Sequence, residues 1–158
     1  MSAEAPTYSI LDEPKPSPIS HLAVNPLWPL LAIMFAGPWL AWPWSIVNGF
    51  ALGSPTRRRE TALALGGFVG TAVLLLSISA AANGGLIGET AIQYLVVSLS
   101  VWKLGVSYGL YVWQAKTFGL WEHFGGVARN GLLVVLLGAF IEIRLLSSLS
   151  GFWAIVLQ

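Results

Sequence analysis

Three charged residues interrupt otherwise apolar runs: Lys103 within Thr90 to Trp113, and Glu142 and Arg144 within the segment from Gly131 to Gln158. Each such charge costs at least about 2.5–3.5 kcal/mol at mid-membrane, so a chain that keeps them must set them against protein or water. Counted at the helical rise, Lys103 lies about 15 Å in from Trp113 and Glu142 about 16 Å in from Gly131. The two are therefore level on antiparallel neighbouring helices, and the spacing predicts a buried ion pair with Ser100 and Ser107 on the lysine's face. Arg144 follows Glu142 by two residues, about 200° round the helix, and should point elsewhere, to snorkel outward or to meet a partner subunit. Two chemistries suit this cluster. The pair can neutralise itself and fix helix packing, or it can act as a proton or anion relay within a small transporter.

Other reactive groups are sparse. Cysteine is absent, which excludes disulfides, thiolate nucleophiles and cysteine-bound metals. The only histidines, His21 and His123, fall in different flanking segments, and no metal-ligand spacing, nucleophile elbow or phosphate loop occurs. Glu122 beside His123 reads as a pair of interfacial polar groups. No catalytic set, metal or cofactor is expected. The aromatic residues are the remaining candidates for recognition. Trp28, Trp113, Trp121 and Trp153 suit belts at the ends of spans, whereas Trp39, Trp42 and Trp44, followed by Asn48, lie within a span and suit contact with a partner subunit or a lipid.

The elements that must position these groups follow from composition. With 56% hydrophobic and 9% charged residues, against about 25% charged in a soluble domain, the chain reads as an all-α integral membrane protein, a bundle of about four transmembrane helices. Residues 1–25 form an acidic, Pro-rich tail expected to be extended, without the basic and apolar regions of a signal peptide. The four-span domain covers 26–158, with spans at about 26–52, 61–82, 90–113 and 131–152. The first is expected to be one helix kinked by Pro38 and Pro43. In the second, Ala62, Gly66, Gly70, Ser77 and Ala81 predict a small-residue packing face.

Between the first two spans lies GSPTRRRE, Gly53 to Glu60, a short basic loop in which Arg57, Arg58 and Arg59 could grip anionic lipid headgroups. A second loop, Gln114 to Asn130, carries Lys116 and Arg129. Positive-inside logic puts both loops in the cytoplasm and both termini in the periplasm. Net charge is +1, which gives no electrostatic case for a nucleic-acid partner.

The run from Gly37 to Phe68, GPWLAWPWSIVNGFALGSPTRRRETALALGGF, resembles a pattern in small uncharacterised bacterial membrane proteins. Its elements are a Gly-Pro break (Gly37, Pro38), an Asn near the helix end (Asn48), a Leu-Gly turn (Leu52, Gly53) and small residues opening the next helix (Ala62, Ala64). The resemblance implies the bacterial inner membrane and carries no activity. Together these features predict a non-enzymatic accessory or scaffold subunit that docks on other membrane protein subunits through its aromatic first helix and contacts lipids. The alternatives are the transporter or relay built on Lys103, Glu142 and Arg144, and an immunity protein against a membrane-acting toxin.

Overall fold

The computed structural model describes residues 17–148. A 3-10 turn at Ser20–Leu22 precedes five α-helices: α1 Leu27–Phe35, α2 Pro38–Ala51, α3 Arg57–Asn83, α4 Glu89–His123 and α5 Leu132–Ser148. Among the described residues there is no strand, only an isolated parallel bridge between Val24 and Arg129. The tail before residue 17, the end of the fourth expected span and Trp153 lie outside the described residues.

The stretch expected to be one kinked helix is instead a hairpin. Helix α1 stops at Phe35, Gly37 takes a φ of 73°, and α2 starts at once with Pro38 in its first turn. Glycine accepts that left-handed φ without the clash a Cβ would bring, and proline disfavours helix at the residue before it, so the two together turn the chain rather than bend it. The return is visible in the contacts. Ala23 packs with Ala51 and Leu52, and the Val24 N–H donates to Asn48 Oδ1 at 2.9 Å. Pro43 sits inside α2, where its missing N–H leaves the Trp39 carbonyl without its helical donor.

Because the hairpin returns, residues 17–25 sit at the same end as Arg57, Arg58 and Arg59. The Arg129 N–H donates to Ala23 O at 2.9 Å, which brings the second basic segment there too. This corrects the expectation that the chain enters from the end opposite the basic segments: the first apolar run is split at Gly37 and both its ends lie together.

Helix α3 begins at Arg57, so the arginines occupy a first helical turn instead of a loop. The turn before it is fixed by Gly53, φ 66°, with Ser54 N–H bonded to Gly49 O and Gly53 N–H to Phe50 O, the paired closure that ends a helix on glycine. Helix α4 runs ten residues beyond Trp113 to His123, through residues expected to be a loop. It continues because Gln114, Thr117 and Phe118 prolong its inward face and find buried partners.

The core of the bundle is aromatic and small. Trp42 is fully buried, set edge-on to Phe68 at 4.6 Å between ring centres. Gly67 makes room for it, since a Cβ there would stand 3.1 Å from the Trp42 ring and 2.9 Å from Val106. The inward face of α3 is thus Glu60, Ala64, Gly67, Thr71 and Leu75. That differs from the small-residue face expected through Ala62 and Gly66, both of which are exposed; the bulk of Trp42 and Val106, not the motif alone, selects which glycine turns inward. Outward, α3, α4 and α5 present large apolar side chains, among them Leu65, Val69, Val101 and Leu137.

Candidate functional site

At the tip of the hairpin, Glu142 of α5 and Lys103 of α4 are both buried, 6% exposed each, and their charges attract one another. Helix α5 starts where Gly131 abuts Trp28 and Trp44 and passes the tip where Gly138 abuts Ala36 and Leu40. Eleven residues in, at about 16 Å of rise, it delivers Glu142 to Trp39, whose indole N–H donates to Oε2 at 2.5 Å. The other carboxylate oxygen, Oε1, is buried and makes no hydrogen bond. Thr71 of α3 is also buried with its hydroxyl unpartnered.

Helix ends converge on this level. The C-terminal end of α1 and the N-terminal end of α2 meet at Ala36–Gly37, so the hairpin tip presents a partly negative and a partly positive helix terminus side by side. Lys103 lines a groove of about 420 Å³ together with Ile33 and Met34 of α1 and Val96, Leu99, Ser100 and Leu104 of α4. The lysine therefore lies by the last turn of α1, while Glu142 lies by the first turn of α2. Each charge is next to the terminus of opposite sign.

A second polar layer lies at the basic end, about three helical turns away on both α3 (Thr71 to Glu60) and α4 (Lys103 to Gln114). Glu60 is fully buried. Its Oε1 accepts from Ser54 Oγ at 2.5 Å and Thr56 Oγ1 at 2.7 Å, and its Oε2 accepts from Gln114 Nε2 at 3.0 Å. Gln114 Nε2 also donates to Ser45 O at 2.6 Å, and Gln114 Oε1 accepts from Asn48 Nδ2 at 3.1 Å. Thr117 adds a hydroxyl 3.4 Å from Ser54 Oγ. Gly49 leaves the space that the carboxylate fills, because a Cβ there would collide with Glu60 Oε2 and crowd Gln114 Nε2.

An apolar layer separates the two: Trp42, Ala64, Val106 and Leu110 are all buried in one cluster. Within it the Trp42 indole N–H donates to Ser107 Oγ at 2.9 Å, and that hydroxyl donates in turn to Lys103 O at 3.0 Å.

Of the residues singled out from the sequence, Lys103 and Glu142 come together. Arg144 is exposed and lies over the Phe140 ring, 5.3 Å from its centre. The recognition candidates divide. Trp42 and Asn48 are turned into the protein and occupied there, Trp39 and Trp44 are half-buried. Arg57 covers the Phe50 ring at 5.5 Å, and Arg58 and Arg59 are exposed. His21 shares a surface pocket with Trp121, Phe124 and Val127, at the same end as His123, whereas a topology with the first segment in the periplasm and the second loop in the cytoplasm would set the two histidines on opposite sides. Among the described residues no three His, Asp or Glu groups cluster as metal ligands.

Sequence reasoning missed Glu60, Gln114, Ser54, Thr56 and Thr117. The signal was present in part: Lys103, Ser107, Leu110, Gln114 and Thr117 follow helical spacing on one face, a stripe that ending the helix at Trp113 cuts in two. No family model, no curated protein and no solved structure matches the chain.

Proposed function

We propose that this is a polytopic membrane protein that moves protons through an intramembrane relay at the tip of a re-entrant helical hairpin, with Glu142 as the exchanging group and Lys103 as its counter-charge. Two helices, α3 and the Thr90–His123 stretch of α4, are long and apolar enough to cross a membrane. Only 22% and 28% of their most apolar windows are buried inside the protein, which suits lipid-facing helices better than the core of a soluble fold. With α5 as a third span, the hairpin enters from the basic end and stops near mid-depth. Non-helical backbone is tolerated at that depth only where protein or a polar cavity covers it, and broken helix ends there are the usual setting of ion sites.

Positive-inside logic then gives the basic end to the cytoplasm of a bacterial inner membrane, and with it the segment before α1. Arg58 and Arg59 face the headgroups from there. Arg144, over the Phe140 ring, is not needed for the exchange at Glu142.

The observation that carries the relay reading is Glu142 Oε1: a buried carboxylate atom at mid-depth with no hydrogen bond. A pair kept only for packing gains by satisfying every oxygen, since each buried polar atom left over costs about 1–3 kcal/mol. The test is proton flux in liposomes containing the purified protein and a pH-sensitive dye. Wild-type vesicles should equilibrate faster than protein-free ones, and Glu142→Gln should abolish the difference while the protein still elutes as a single species. Wild-type flux no greater than the empty-vesicle rate overturns the reading.

A second reading, the accessory subunit of a larger membrane complex, draws on one face of α4. Tyr94, Val97, Val101, Leu104 and Tyr108 follow a seven-residue repeat and are all exposed, 45–72%. Native purification with mass spectrometry separates the cases; recovery as a free chain counts against this one.

A further inference from the structure

We infer that Glu60 is a second proton-exchanging site, which loads from the basic end of the protein through the hydroxyls of Ser54, Thr56 and Thr117. This rests on the relay reading and extends it from one station to two. Nothing about the arginine-rich segment requires a carboxylate to be fully buried beside it, nor an amide and two hydroxyls to converge on that carboxylate.

The types of partner decide what the cluster can do. A hydroxyl is both donor and acceptor and can rotate, so Ser54 and Thr56 can donate to an ionised Glu60 and, after turning, accept from a protonated one. Thr117, 3.4 Å from Ser54 Oγ, supplies the acceptor that lets Ser54 reverse. An amide cannot reverse in this way without flipping. Gln114 Nε2 is held by both Ser45 O and Glu60 Oε2, and Gln114 Oε1 by Asn48, so this side of the carboxylate is fixed. Glu60 is thus adaptable toward Thr56 and rigid toward the bundle.

Thr56 is half-buried at the turn before α3, whereas Ser54 and Gln114 are buried, so of these partners of Glu60 its hydroxyl is the one nearest the surface. The exchange balances simply: a hydronium gives a proton to Thr56 Oγ, which releases its own to Glu60 Oε1, and water and a neutral carboxylic acid remain. The reverse restores the carboxylate. Inward, the layer of Trp42, Ala64, Val106 and Leu110 stands between this site and Lys103, so in this conformation Glu60 communicates with the basic end and not with Glu142.

The experiment uses the full-length protein in liposomes, with infrared difference spectra recorded on acidification alongside flux. Protonation of Glu60 should give a carboxylic-acid C=O band that is lost in Glu60→Gln and kept in Glu142→Gln. Flux should fall in Glu60→Gln and, because Thr56→Val removes one hydrogen bond to a charged group and leaves Gln114 in place, by about tenfold in Thr56→Val. Thr56→Val guards against a Glu60 variant that fails to fold. A flux lost in Glu142→Gln but unchanged in Thr56→Val and in folded Glu60→Gln overturns the Glu60 site alone. Flux indifferent to Glu142 as well overturns the relay and this site with it. Absence of a band assignable to Glu60 overturns the site whatever the flux.

Discussion

At the basic end, Glu60 accepts hydrogen bonds on both oxygens from Ser54, Thr56 and Gln114. About three helical turns away, Glu142 accepts from Trp39 on Oε2 and faces the charge of Lys103, and its Oε1 accepts no hydrogen bond. Both carboxylates are buried and both are held by the same hairpin, one at its base and one at its tip. The surroundings differ in what the neighbouring backbone supplies. At the base, a turn closed on Gly53 puts Ser54 and Thr56 within reach and leaves Gly49 open for the carboxylate. At the tip, Pro38 has no N–H and the side chains next to it are Trp39 and Leu40, so the hairpin itself offers the carboxylate the Trp39 indole and the rest of its partnership comes from Lys103 on α4. The outer layer is completed in part by hydroxyls that can turn, so it fixes where elements sit and still lets Glu60 exchange, whereas Glu142 is left with an oxygen that no neighbour holds.

That contrast can be broken experimentally, most severely at Glu60. Glu60→Ala leaves two hydroxyls and an amide without their acceptor in a dry site, and should cost about 3 kcal/mol or more in thermal or denaturant unfolding in detergent. A loss below 1 kcal/mol would mean that water reaches the cluster and that the two layers are alike. Gly49→Ala tests the same layer from the other side. The added methyl collides with Glu60 Oε2, a contact that cannot relax without moving Gln114, and overpacking of this kind costs about 1–3 kcal/mol.

Smaller effects are expected between and beyond the layers. Trp42→Phe keeps most of the ring but leaves Ser107 Oγ without its donor, and should lower stability by about 1 kcal/mol. Glu142→Gln takes away the counter-charge of Lys103 but keeps the acceptor for Trp39, and the lysine lines a groove where water can replace that charge, so the loss should be the smallest, about 1 kcal/mol. A loss at Glu142→Gln as large as that at Glu60→Ala would make the deeper pair a structural staple and remove the distinction.

The sequence read alone established the apolar, helix-building character of the chain, the absence of cysteine chemistry, and two charges within apolar runs at matching distances from Trp113 and Gly131. It did so because length, hydropathy and the rise per residue are local quantities that need no partner. Helix ends were legible where Asn83–Gly85 and Gly53 close a turn. Glu60 was hidden because three arginines precede it, and a charged run beside a Pro turn has the composition of a solvated loop; only Gln114, reaching across from another helix, makes it a core residue. The direction of Pro26 to Leu52 was hidden for a related reason. Two prolines and a glycine announce that a helix is interrupted, but kinking and folding back differ by the φ of one residue, Gly37, and by whether Val24 finds Asn48. Those are decided by packing at long range, and so the tertiary structure alone turned a span into a hairpin and gave Lys103 and Glu142 a pair of helix ends to face.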